Sequence, residues 1–234
     1  MDADHLSDRL QTVARYIQPG ARLADIGSDH AYLPVHLLKR GLIAGGIAGE
    51  VVRGPYENAK REIEREGLSG QLQPRLADGL FAIHPGDQID TIAIAGMGGN
   101  LISTILNAKP DALDGVNRLV LQPNVGEEGL RNWLMTHQWQ IIAEEILEED
   151  GHRYEVIVAE RANTPVTYTS AELQFGPFLL REKSPVFIRK WQREIVRETE
   201  VLDQIERAAR VPAEKVNRLK QRISAMKEVL SSEG

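Results

Sequence analysis

Apolar residues recur at two periods along the chain, and the switches between those periods mark its elements. Leu6, Leu10, Val13, Ala14 and Ile17 keep helical spacing, with Ser7 as a capping residue and Pro19-Gly20 as a stop, which predicts a helix over 7–17. Apolar runs at 22–26, 45–50, 71–77, 89–95 and 117–122 then alternate with helical stretches at 31–40, 55–66, 99–107 and 127–137. That alternation predicts a parallel sheet with right-handed crossovers. Beyond Trp139 it stops, because Gln140 to Leu147 and Tyr154 to Glu160 are both strand-like and flank an Asp150-Gly151 turn. The pair reads as an antiparallel hairpin closing the sheet.

Residues 161–171 are polar, contain Pro165 and predict a linker or surface loop. After them Ile188, Trp191, Ile195, Leu202, Ile205 and Ala209 follow a 3-4 spacing broken by Glu198, and Val216, Leu219, Ile223, Met226 and Leu230 follow it unbroken. Two such stripes predict helices that bury their seams against each other, with Pro212 opening the second. The chain thus divides into an α/β part, 1–162, and a helical hairpin, 163–234. A fragment ending near Glu172 is expected to keep the α/β core.

The polar interruptions carry the chemistry. The first strand ends in Asp25-Ile26-Gly27-Ser28-Asp29-His30, the second in Glu50, the third in Asp78-Gly79, and the fourth in Ala95-Gly96-Met97-Gly98-Gly99. Strand-to-helix turns of this kind hold nucleotide-like ligands in open α/β sheets. Here the first turn has one glycine where a dinucleotide fingerprint has three, and Asp25 and Asp29 repel a pyrophosphate. An adenosine-bearing ligand with amino and sulfonium cations suits such a turn, and S-adenosylmethionine has that make-up. Glu50 follows Gly27 by 23 residues, near the offset of about 20 at which an acid meets ribose hydroxyls. A tight turn with an acidic cap explains the first motif equally simply, but not four strand ends in succession.

Composition narrows the chemistry further. The chain has 234 residues and no cysteine, which removes disulfides, thiolate metal sites, cluster-based radical methylation and the thiolate-assisted methylation of pyrimidine C5. Six scattered His argue against a metal, and no apolar run spans a membrane, so a cytoplasmic protein is expected. The net charge of −6 is uneven: residues 181–234 hold 13 Lys+Arg against 9 Asp+Glu, leaving the acidic surplus in the α/β part. Arg189, Lys190, Arg193 and Arg197, with Arg9 and Arg15, form a candidate basic face for RNA phosphates; a solvated helix surface is the alternative.

The stretches DIGSDHAYLP, IAGE, DGL, IAGMGG, LQPN, EEDG with YE, and GPFLLREK, with the N-terminal LSDRLQTVA, resemble the bacterial tRNA (adenine-N1)-methyltransferase family that modifies adenine 22. The resemblance runs over nearly the whole chain. It implies a Rossmann-like, seven-stranded class I methyltransferase sheet with a coiled-coil-like C-terminal hairpin, S-adenosylmethionine as cofactor and tRNA as partner. By motif, Asp25, Gly27, Ser28, Asp29 and His30 would line the methionine end, Glu50 the ribose and Asp78-Gly79 the adenine, with Ala95, Gly96 and Met97 as floor. Direct attack by N1 needs positioning rather than a strong base, so Asp29 is the candidate to stabilise the cationic product, and Tyr32, Asn124 and Tyr154 to contact the base. Ordinary packing is the alternative for the two tyrosines. A methyltransferase of small molecules or proteins and a non-enzymatic adaptor remain the rival readings. A monomer is expected, with a dimer left open.

Overall fold

The computed structural model describes residues 2–207 and 213–231. Seven strands, β1 (Ala21–Ile26), β2 (Ile43–Glu50), β3 (Leu72–Leu76), β4 (Thr91–Gly98), β5 (Arg118–Val125), β6 (Trp139–Glu149) and β7 (His152–Arg161), form one sheet in the order β3-β2-β1-β4-β5-β7-β6. The first five pair in parallel, and β7 enters antiparallel between β5 and β6. The predicted hairpin is therefore present, and Asp150 and Gly151 take the two left-handed conformations (φ 49° and 76°) that match its turn to the strand twist.

Helices α1 (Asp8–Arg15), α2 (Tyr32–Lys39) and α3 (Arg53–Arg65) cover one face, and α4 (Gly99–Ala108) and α5 (Glu127–Thr136) cover the other. The alternation of side chains along a strand divides the two cores: Val156 and Val158 of β7 face the first, Ile157 and Ala159 the second. Ser7 caps α1 as predicted, its hydroxyl accepting from the Leu10 N–H, and Glu149 at the end of β6 accepts from the Asp8 N–H at 2.6 Å. That carboxylate anchors the helix N-terminus beside the sheet.

The segment read as a linker gives way to two short helices, α6 (Ser170–Phe175) and α7 (Leu179–Glu182), before α8 (Pro185–Glu206) and α9 (Ala213–Ser231). Ala209 and Pro212 lie outside the described residues. The ion pairs Glu206–Lys220 and Glu198–Arg222 advance in opposite directions along α8 and α9, so the two helices are antiparallel. Glu198, the break in the stripe, is buried there with Arg222 3.0 Å from one of its oxygens, and burial still raises its carboxyl.

The hairpin also has a core of its own, in which Phe175, Phe187, Trp191, Leu202, Val216 and Met226 surround Ile146 of β6. More binding still is Arg131 of α5, which has no exposed surface. Its Nε donates to Glu144 at 2.7 Å, its Nη2 to Glu155 at 2.5 Å, and its Nη1 to the Leu173 and Gln174 carbonyls. Lys190 of α8 completes the set with 2.6 Å bonds to Glu155 and Glu127, and Glu144 also accepts from the Phe178 N–H. A chain cut near Glu172 loses the two carbonyls, the Phe178 N–H and Lys190, and leaves charges buried with half their partners. A fragment of that kind is therefore expected to be less stable than the full chain.

Removing one member of a buried ion set costs about 3–5 kcal/mol. Arg131→Ala is expected to lower unfolding stability by that amount in urea titration, and the fragment 1–172 to unfold at a lower midpoint than the full chain. Equal midpoints would show that the network contributes nothing.

Candidate functional site

A cleft of about 370 Å³ opens where β1, β2 and β4 end, at the point where the strand order turns back. It is lined by Asp25, Gly27, Ser28, Asp29 and His30 from the first turn, Glu50 from the second strand end, and Ala95, Gly96 and Met97 from the fourth. Arg9 and Leu10 of α1, Tyr32 and Leu33 of α2, and Pro55 complete the wall.

The first turn is held in an uncommon shape. Gly27 has φ +75°, and the non-glycine residues Asp29 and Ala31 have φ +52° and +56°. Such conformations cost on the order of 1 kcal/mol each and persist where the surroundings fix them. Here the Gly27 and Ser28 N–H groups donate to the Gly49 carbonyl at 2.9 and 3.2 Å, and the Asp29 N–H donates to Glu50 Oε1. A Cβ on Gly27 would meet Met97 Cε, the far end of a flexible side chain, so it is the positive φ rather than space that favours glycine here.

Two acids sit out of water here. Asp25 is 5 % exposed; burial pushes its carboxyl up to about 7, against the Ser28 hydroxyl bond at 2.5 Å, with Glu50 adding repulsion and Arg9 offsetting some of it. Glu50 is 7 % exposed and is also raised by burial, opposed by the Asp29 N–H. Asp29 differs: its side chain is 67 % exposed at the mouth, 3.8 Å from His30 Nε2, whose ring stacks on Tyr32 at 4.9 Å. The site therefore offers two desolvated carboxyls inside and one solvated carboxylate at the rim.

Asp78 and Gly79 line a neighbouring hollow of about 110 Å³ with Val51, Ala77, Leu101 and Ile105. Gly27 and Met97 belong to both spaces, so the Met97 side chain stands between them.

The β4 loop is fixed by a residue that received no role from the sequence. Gln122, fully buried at the end of β5, accepts from Arg9 Nη1 at 2.8 Å and from the Gly96 N–H at 3.0 Å, and donates to the Pro123 carbonyl. A lone amide closing the apolar run LVL was its only signal. Arg9, read as a phosphate contact, is thereby a wall of the cleft, with its guanidinium 5.5 Å from the Tyr154 ring. Asn124 and Tyr154 do not line the cleft. The Asn124 amide donates to the Gly96 carbonyl at 2.9 Å, and Tyr154 packs behind Arg9, so both act on the cleft through a neighbour.

The remaining cations are unevenly available. Arg15 is bonded to Glu145 at 2.5 Å, Arg189 lies 3.5 Å from Glu148, and Arg197 pairs with Glu194 on its own helix. Arg193 is exposed. Lys190 corrects the expectation of a phosphate contact: its ammonium is committed at 2.6 Å to both Glu127 and the buried Glu155 inside the ion network. Among the described residues no cluster of three or more His, Asp or Glu has the arrangement of a metal site, and no helix is long and apolar enough to cross a membrane.

Residues 23–228 match the family model described as tRNA (adenine(22)-N(1))-methyltransferase. A relative from Bacillus subtilis, named tRNA (adenine(22)-N(1))-methyltransferase, is 46% identical over 96% of this chain and 97% of its own. A Streptococcus pneumoniae structure in complex with S-adenosyl-L-methionine superposes with a TM-score of 0.89 at 46% identity, covering 97% of this chain and 100% of that one. An M. capricolum structure in complex with S-adenosyl-homocysteine superposes with a TM-score of 0.86 at 28% identity, covering 96% and 97%.

A carboxyl whose pKa is higher folded than unfolded binds its proton more tightly in the native state, so stability falls as pH rises between the two values. For Asp25 the window runs from 3.8 to about 7, and the loss reaches about 4 kcal/mol at its top. Asp25→Asn is expected to abolish most of that fall in urea titrations of the ligand-free protein at pH 5 and pH 8. A wild-type protein equally stable at both would refute the assignment.

Proposed function

The chain belongs to the tRNA (adenine(22)-N(1))-methyltransferase family, and from that premise we propose that its acid-lined cleft binds S-adenosylmethionine and presents the methyl group to N1 of adenine 22 in a tRNA. The observation that carries the reading is the pair of buried acids, Asp25 and Glu50, at adjacent parallel strand ends. They are uncompensated enough for burial to raise both, and a cationic, hydroxyl-bearing ligand relieves that cost.

The residues fit such a ligand. Asp25 and the turn around Gly27 would hold the ammonium end, Glu50 the ribose hydroxyls, and the hollow at Asp78-Gly79 the adenine, with Met97 between the two compartments. When bound, S-adenosylmethionine supplies an electrophilic sulfonium methyl. The N1 lone pair of neutral adenine needs no base, so the protein's work is alignment, worth up to about 7–11 kcal/mol in ideal cases. Positive charge moves from sulfur to the methylated base, and the exposed Asp29 carboxylate at the mouth is placed to stabilise it. Tyr32, stacked on His30 beside it, offers a face for the base. Asn124 and Tyr154 serve as positioning residues through the Gly96 carbonyl and Arg9.

Outside the cleft, Arg15, Arg189, Arg193 and Arg197 are the cations assigned to tRNA phosphates. The protein is assigned to the cytoplasm, where its substrate resides, as a monomer whose helical hairpin is an RNA-binding, coiled-coil-like element.

Incubation with labelled S-adenosylmethionine and unmodified tRNA is expected to yield N1-methyladenosine at position 22 on nucleoside mapping. Absence of transfer, or methylation elsewhere, would refute the activity. Glu50→Gln keeps an oxygen for the Asp29 N–H but removes the charge, and is expected to weaken S-adenosylhomocysteine binding about tenfold by calorimetry. Asp29→Ala is expected instead to lower kcat more than cofactor affinity, as for a contact that strengthens while charge develops. Parallel losses in both would make Asp29 a binding residue only.

A further inference from the structure

A second cavity, of about 400 Å³, lies where the β5–α5 turn and β7 meet α8 and α9. Its unusual property is a surplus of unanswered donors. Arg153 Nε and Nη2, Gln174 Nε2 and Trp191 Nε1 are all shielded from solvent and none has a hydrogen-bond partner. All three residues line this one space, and Trp191 is only 6 % exposed. A buried donor without an acceptor costs about 1–3 kcal/mol, and four within the wall of one cavity are a strong departure from native practice.

The donors have a common complement. Nε and Nη2 are the parallel edge of the Arg153 guanidinium, the geometry that grips two oxygens of a phosphate or carboxylate. Glu148 Oε2 lies 3.4 Å from Nη2 and supplies charge without an aligned hydrogen bond. Lys190, Arg197 and Arg222 at the rim are each paired with a carboxylate, Glu127, Glu194 and Glu198, and Glu128 also lines the cavity, so the Arg153 fork is the group left to meet an anion. An indole N–H and an amide N–H beside a guanidinium fork ask for a ligand with several acceptor oxygens and one negative charge.

Location names the source of that ligand. Asn124, which borders this cavity, donates to the Gly96 carbonyl, and Gly96 lines the cofactor cleft. The cavity thus opens one loop away from where the target base must enter. A base that leaves its stack costs a few kcal/mol, and contacts to the adjoining backbone are the means of recovering it. We propose that Arg153, Gln174 and Trp191 form a phosphate-binding pocket that clamps one tRNA backbone phosphodiester near the methylated adenine. The proposal rests on the assignment of tRNA as substrate.

Arg153→Gln keeps the bulk and removes the fork, and Trp191→Phe keeps the ring and removes the donor. Binding of unmodified tRNA, followed by fluorescence anisotropy over a salt series, is expected to weaken about tenfold for Arg153→Gln, with the salt slope reduced by about one. Trp191→Phe is expected to lose a few-fold, Arg153→Lys to recover the slope but only part of the affinity, and S-adenosylhomocysteine affinity to stay unchanged in all three. Wild-type tRNA affinity and slope in Arg153→Gln would overturn the pocket. So would a matching loss of S-adenosylhomocysteine affinity, which would make Arg153 a packing residue, or a response confined to inorganic phosphate, which would make this a free-anion site. Failure of the wild type to methylate tRNA is a separate result that strikes the substrate assignment instead.

Discussion

A guanidinium with no exposed surface holds the two parts of this molecule in one register. Arg131 is approached by Glu144 of β6, Glu155 of β7 and two carbonyls of α6, and Lys190 of α8 closes the set. Withdrawing these charges from water costs several kcal/mol per ion, and their attraction returns that only where every partner is in place. Burial alone would push Glu155 up; Lys190 and Arg131 outweigh it and hold its carboxyl below the usual range. A misdocked hairpin would strand at least one buried charge, so the network specifies the docking more than it stabilises it. Gly176 belongs to the same constraint, since a Cβ there would stand 2.6 Å from Glu144 Oε2 and 2.8 Å from Arg131 Nη2.

The acid-lined cleft uses burial to the opposite end. Around Arg131 the opposite charges are matched in the resting protein, whereas Asp25 and Glu50 have hydroxyl and amide donors and one offsetting arginine. Their protonation is therefore favoured, and a cationic ligand gains both its own attraction and the relief of this cost. The left-handed Asp29 and Ala31 fit the same account: strain in the turn persists because Glu50 and Gly49 grip its N–H groups.

Most of the sheet was legible because period and punctuation agreed: four successive parallel strands ran into acid or glycine, and Asp150-Gly151 announced the one reversal. What could not be read was pairing between distant polar residues. Arg131 sits in an amphipathic helix where an arginine ordinarily faces water, and only the folded chain brings Glu144 and Glu155 to it. Lys190 looked like its neighbours Arg189 and Arg193, yet one helical position turned it inward. Nothing in the sequence singled out Arg153. Its relevance comes from Gln174 and Trp191, which are distant along the chain. Asn124, read as a contact to the base, borders the other cavity instead and secures the Gly96 carbonyl.

That loop decides how the two spaces relate. Gly96 is fixed from both sides, its N–H on Gln122 and its carbonyl on Asn124, while Gly99 and Gly126 approach so closely that a Cβ on Gly99 would strike the Gly126 carbonyl. The floor of the cleft at the end of β4 and the edge of the junction cavity at the end of β5 are thus tied to each other by hydrogen bonds. A braced loop cannot absorb displacement, so the separation between the methyl-donor site and the phosphate pocket is set by the fold rather than by the ligand. For a methyl transfer that depends on alignment, a fixed ruler between the two is what the reaction requires. The buried ions around Arg131, which seat α8 against β7, supply its other end.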